Sequence, residues 1–257
     1  MLTIVKDFSK RCEGIIAYLD IVSVTISVAK ADHRAIKSRT SFATSSRKLK
    51  NIVQKNQDFA LTAFDGAYLT LCAEYEMTVR KLIEKLVADA TTTCTEYHHL
   101  PKEMRGWYPD GCSNLILGIN QDKFSHLTKD QVVRSLASCL KIKSYVLIGE
   151  VFSDNQRNFW PDTVDETLSR RIGLTKIWQK LSRDMNLQTL IGTTDLSTVE
   201  RQLRNRLTTI MQRRNDIIHR GRSYFTPSET EVRNAACFMK ELVSSLGSHM
   251  QKYLDGI

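Results

Sequence analysis

The chain has 257 residues, 42% of them hydrophobic and 25% charged, so it is long enough for a full hydrophobic core and is neither fibrous nor disordered in composition. With only 4 Pro and 11 Gly, long helices are open to it. A net charge of +9 favours a polyanionic partner, nucleic acid before membrane, and says nothing about fold.

Residues 1–30 place Ile4, Val5, Phe8, Cys12, Ile15, Ile16 and Leu19 at helical spacing, which predicts a helix. The apolar run from Gly14 to Ala29 contains Asp20, is short for a bilayer and lacks a signal-peptide cleavage site, so a cytoplasmic chain without membrane contact is expected. Residues 30–55 turn basic through a Ser/Thr-rich patch, which reads either as a solvated connection or as an RNA-tracking arm. The strongest helix follows over 58–90, where Phe64, Tyr68, Leu71, Tyr75, Val79, Leu82 and Leu86 form one stripe. Glu76 lies beside that stripe among apolar neighbours, as a half-buried carboxylate in need of a basic partner.

Residues 91–127 lose periodicity, and Trp107-Tyr108-Pro109-Asp110-Gly111 reads as a turn in a loop-rich excursion. Thr128 with Gln131 is a capping box that opens a helix over 129–149. Thr163 and Glu166 start a short helix that Gly173 ends, and 175–186 reads as one more. After residue 226, Thr226 as cap, Pro227 at the first position and Glu229 open a long terminal helix over 227–254.

The most informative stretch is 197–222, STVERQLRNRLTTIMQRRNDIIHRGR. Ser197 and Glu200 supply a capping box and Gly221 a stop. Leu203, Leu207, Ile210, Met211, Ile217 and Ile218 share one face, and Arg214 falls on it. Seven arginines between 201 and 222, among them Arg213, Arg214, Arg220 and Arg222, stand against one acid, Asp216, so anions from outside are candidate partners. His219 sits in the last turn, where the helix dipole favours its protonated form. An arginine beside a titrating histidine suits phosphodiester chemistry; a buried arginine paired elsewhere and a histidine that only caps the helix would be the purely structural alternative.

RRNDIIHRG, set between two amphipathic helices, resembles the R-x4-6-H signature of the HEPN superfamily. FALTAFDGAYLTLCAEYEMTVRKLIEKL and NFWPDTVDETLSRRIGLTKIWQKL resemble the early helix and the pre-motif segment of its RiboL-PSP type, with Glu76 at the acidic position. The resemblance implies one all-α domain over 1–257: a bundle of four core helices (58–90, 129–149, 198–219 and 227–254) with additional helices and a long loop region. It implies a ribonuclease that works as a homodimer, with Arg214 on the scissile phosphate, His219 as acid or base, Asn215 holding the geometry and Glu76 orienting Arg214 or His219. Arg213, Arg220 and Arg222 would then contact RNA. Such proteins commonly act as toxins or anti-phage effectors, restrained by an antitoxin. The alternative is a non-catalytic relative that docks a nucleotidyltransferase-like partner or RNA.

No phosphate loop, dinucleotide fingerprint or zinc-protease helix is present, and no cofactor or metal is expected. The six cysteines form no C-x2-C pair and read as reduced core thiols. Cys94, His98, His99 and Cys112 match no standard zinc spacing.

Overall fold

The computed structural model describes residues 1–30, 41–56, 58–140, 144–154, 158–220 and 226–257, with only the backbone at 41–43 and 220. Among these residues there are helices and no strands. They are α1 (Leu2–Lys30), α2 (Ser41–Lys55), α3 (Phe59–Thr93), α4 (Lys102–Gly118), α5 (Lys129–Ser138) and α6 (Glu150–Ser153). Then come α7 (Pro161–Glu166), α8 (Ile177–Leu181), α9 (Met185–Ile191), α10 (Leu196–Arg220) and α11 (Glu229–Leu254). The all-α expectation holds. The backbone gathers into two compact units, one of Met1–Phe8, Tyr75–Thr209 and Glu241–Ile257, the other of Ser9–Glu74 and Ile210–Lys240.

In the first unit, the second half of α3 is the buried axis. Val79, Leu82, Ile83, Leu86, Val87 and Ala90 are all closed to solvent, as the stripe predicts. Tyr75 donates its hydroxyl to the Phe159 carbonyl at 3.3 Å. Trp178, fully buried, donates its indole N–H to the Pro161 carbonyl at 3.1 Å. The loop at Phe159 and the first residue of α7 are thereby tied to buried aromatics that need a polar partner.

The excursion at 91–127 is corrected by α4, which runs straight through Pro109. A proline inside a helix leaves the carbonyl four residues back without its donor. Here that carbonyl belongs to Arg105, and the Tyr97 hydroxyl bonds it at 3.1 Å. Tyr108, expected in a turn, is buried, bonded to Ser135, and accepts from the Ile148 N–H at 3.0 Å. Gly111 explains itself by proximity. A Cβ there would lie 2.5 Å from Val151 Cγ1 and 2.8 Å from Trp107 Nε1. Alanine gains about 1 kcal/mol of helix propensity over glycine, but overpacking a β-branched neighbour costs about 1–3 kcal/mol more than ordinary contact. Gly111→Ala is therefore expected to be destabilising or at best neutral where propensity alone predicts a gain, and a urea midpoint raised by the full propensity increment would contradict the close approach.

Helix α5 ends at Ser138, eleven residues short of the expected 149. The Ser135 hydroxyl donates to the Val146 carbonyl at 2.5 Å and the Ser138 hydroxyl accepts the Val146 N–H at 3.0 Å. Serines at the helix end thus recruit the returning chain instead of extending the ladder. The Thr128–Gln131 capping box is present. Gly173 ends the π-helical turn Thr167–Ile172 at a φ of 93°, a left-handed stop that glycine adopts freely. The stretch 175–186 is two helices, because Asp184 caps α9 through the amides of Asn186 and Leu187.

Two caps move. Helix α10 is opened by Asp195, which accepts the Thr198 N–H and the Ser197 hydroxyl, each at 2.8 Å, in place of the expected Ser197–Glu200 box. Helix α11 is opened by Ser228 with Glu231, in place of Thr226 with Glu229. In both, a neighbouring short polar residue offers the same capping oxygen, and sequence spacing alone does not choose between them.

The second unit joins α1, α3, α10 and α11 by polar ties between helices. Arg11 pairs with Glu74, Asp20 with Arg233 at 2.5 Å, Glu13 with Lys240 at 2.8 Å, and Arg213 with Glu231 at 2.5 Å. Cys12, Leu19, Val22 and Ala29 form the buried stripe of α1, and Ile21 and Val24 face out. By length and composition α1 is apolar enough to cross a membrane, and it carries the ion-paired Asp20. Helix α2, in the segment read as a connection or arm, bears Arg47, Lys48, Lys50 and Lys55 and no acid.

Candidate functional site

The candidate site is the last two turns of α10, in the second unit. The predicted apolar face is real but fades toward its end. Leu203, Leu207 and Met211 are fully buried, Ile217 is half-buried, and Ile218 is 48% exposed. Arg214 enters this fading stripe half-buried, and its guanidinium donates to the Asn215 side-chain oxygen at 3.0 Å. This neutral acceptor leaves the charge of the guanidinium in place. His219 is exposed.

The helix stays regular through Arg220. At 3.6 residues per turn, five residues rotate a side chain by about 500°, which leaves Arg214 and His219 roughly 140° apart. No loosening of the helix brings them onto one small group within a single chain.

Carboxylates of this chain take up part of the arginine surplus. Arg204 is tied to Asp162 at 3.4 Å, Asp165 at 3.3 Å and Glu200 at 3.5 Å, and lies over the Trp178 ring. Arg206 donates to the Leu190 carbonyl at 3.4 Å. Arg213 spends its charge on Glu231. Burial works against the charge of Glu231, yet the Ser228 amide and hydroxyl and the Arg213 guanidinium hold its carboxyl below the usual value. Tyr68 closes the same corner, reaching the Ile210 carbonyl at 3.5 Å, and burial pushes its phenol up. Asp216, the one acid of this stretch, accepts from the Gln212 amide at 3.2 Å. Of the other basic side chains, Arg201 and His219 are exposed and Arg214 is half-buried. The Arg220 side chain and Arg222 lie outside the described residues. Glu76 is half-buried on α3 in the first unit.

One feature had no sequence signal of its own. A cleft of about 980 Å³ in the first unit is lined by Trp107, Lys123, Glu150, Asp154, Asp162, Glu166 and Arg171 among others. Arg171 stacks 4.4 Å over Trp107 and donates to the carbonyls of Phe152 at 3.1 Å and Asp154 at 2.7 Å. Carboxylates outnumber cations on its walls, so a phosphate backbone is not its ligand. In sequence, Arg171 is one of two adjacent arginines, and nothing distinguishes the buried one.

The described residues form helices and no strands, the architecture of a HEPN-type all-α domain. The model of the RiboL-PSP-HEPN family matches residues 37–252, and the chain belongs to that family. Its α1 precedes the matched region. Comparison with curated proteins and with solved structures finds no match.

Proposed function

We propose that the protein is a metal-independent endoribonuclease whose site is completed by two copies of the chain. The observation that carries this is Arg214, held by Asn215 at the open end of a regular helix, with His219 exposed beyond it. Arg214 of one copy and His219 of the other meet the same phosphodiester. Arg214 stabilises the charge that grows on the phosphate oxygens, and His219 moves the proton. Arg220 and Arg222 hold the RNA backbone. Arg213 contributes to RNA binding only to the extent that Glu231 shares it. The four cations of α2, in the same compact unit as the motif, add phosphate contacts.

The half-exposed Ile217 and Ile218 continue a buried stripe onto the surface, and a second copy would cover them. The protein is expected to be a homodimer burying more than about 1,000 Å² in total. Light scattering that finds only monomer at micromolar concentration, with cleavage intact, would contradict this.

The biological reading is a cytoplasmic toxin or anti-phage effector restrained by an antitoxin, and the test is growth. Expression in a bacterium arrests growth, and His219→Ala relieves the arrest while the protein stays folded. Arrest that persists in that variant supports the other reading, a non-catalytic module docking a nucleotidyltransferase-like protein or RNA.

A further inference from the structure

Two imidazoles and a carboxylate converge on the 3-10 turn that follows α3, in the first compact unit. Glu96, His98 and His99 each place a donor atom within 4.8 Å of the other two. His98 Nε2 lies 3.3 Å from a Glu96 oxygen, and the two histidine rings meet edge to face with centroids 4.2 Å apart. The sequence offered another set for a metal, with Cys94 and Cys112 in place of Glu96. Both thiols are buried, Cys112 fully, and Cys94 donates to the His99 carbonyl at 3.7 Å. They face the interior, while the imidazoles face solvent.

The donors stand on a fixed backbone. Tyr97, between them, bonds the Arg105 carbonyl and meets the Tyr145 ring edge-on at 5.5 Å. Tyr145 in turn donates to the Cys94 carbonyl at 2.7 Å. The Arg105 guanidinium holds the Leu100 carbonyl at 3.0 Å, and Leu100 is buried. The turn is thus anchored on both sides, and only side-chain rotation is needed to bring the donors in. Bonds of about 2.0–2.2 Å in a tetrahedron set donors about 3.3–3.6 Å apart, so the 3.3 Å pair is already at that spacing and the third donor has a short distance to close.

We propose that Glu96, His98 and His99 bind one divalent transition-metal ion of the zinc type, through two imidazole nitrogens and one carboxylate oxygen. Imidazole suits zinc, cobalt and nickel, whereas magnesium prefers oxygen alone. Three protein ligands leave a position for water, so the site is open and the ion exchangeable. It uses none of the residues assigned to RNA cleavage and stands apart from that assignment.

The untagged full chain, carrying Cys237→Ser to remove its exposed thiol, is titrated with Zn²⁺ by calorimetry and with Co²⁺ by visible absorption. The expected result is one ion per chain at micromolar metal, undisturbed by millimolar Mg²⁺, with a cobalt spectrum free of thiolate charge transfer. The double variant His98→Ala/His99→Ala, whose side chains are exposed, keeps its helicity and loses affinity by about tenfold or more, the step that corresponds to about 1.4 kcal/mol. No binding by the parent, a thiolate band, or unchanged affinity in the double variant overturns the proposal.

Discussion

His219→Ala is expected to lower RNA cleavage by about 10²–10⁴-fold, the usual worth of a positioned acid or base. Its side chain is exposed, so the loss should come without loss of helicity. Arg214→Ala should cost about 10²–10³-fold through lost charge stabilisation. Arg206→Ala, which gives up one bond to the Leu190 carbonyl, should cost far less. Mixing sharpens the test, because the proposed site takes its arginine and its histidine from different copies. Heterodimers of Arg214→Ala and His219→Ala chains should recover one intact site, and cleavage should rise from background as the two inactive proteins are combined. No recovery, despite subunit exchange shown by light scattering or labelled chains, would place both residues in one copy.

Replacing the nucleotide at the cut with its 2′-deoxy form should abolish cleavage. The stretch 197–222 holds Glu200 and Asp216 alone as carboxylates, too few for a magnesium site. The proposed nucleophile is therefore the substrate's own 2′-hydroxyl. As its oxygen bonds to phosphorus, it gives up its proton and the bond to the 5′-oxygen breaks. The leaving oxygen takes a proton, and the products are a 2′,3′-cyclic phosphate and a 5′-hydroxyl. This route favours single-stranded RNA, since a splayed backbone reaches the in-line geometry that a helix resists. EDTA should leave cleavage intact. Cutting of the deoxy substrate, or activity lost to EDTA and restored by magnesium, would rule this route out.

Much of the architecture was legible because long helices write their burial into the sequence. The stripe from Tyr68 to Leu86 is buried as its spacing demands, and α1 runs the expected length. The failures lie where a distant side chain replaces a local signal. Pro109 and Gly111 both argue against helix, and α4 forms because Tyr97 supplies the missing hydrogen bond and Val151 occupies the space above Gly111. Val151 lies outside that stretch, and no local pattern assigns Tyr97 to the Arg105 carbonyl. The end of α5 was missed for the same reason, since Ser135 and Ser138 act on a strand of chain that has not yet been read. At the site, the arginine count pointed outward too strongly. Carboxylates on other helices, Asp162, Asp165 and Glu231, take up Arg204 and Arg213.

The unbroken geometry of α10 has a consequence for dosage. If Arg214 and His219 form the proposed two-copy site, a lone chain in which they diverge holds two halves of a site and no whole one. On the two-copy reading, the active species is made by collision. Below the dissociation constant of the pair its concentration rises as the square of the chain concentration, so halving the amount of protein quarters the cutting. Few copies would be harmless without any inhibitor, and a burst of synthesis would cross into damage abruptly. An antitoxin that merely covered the end of α10 would then silence two sites' worth of residues by occupying one helix.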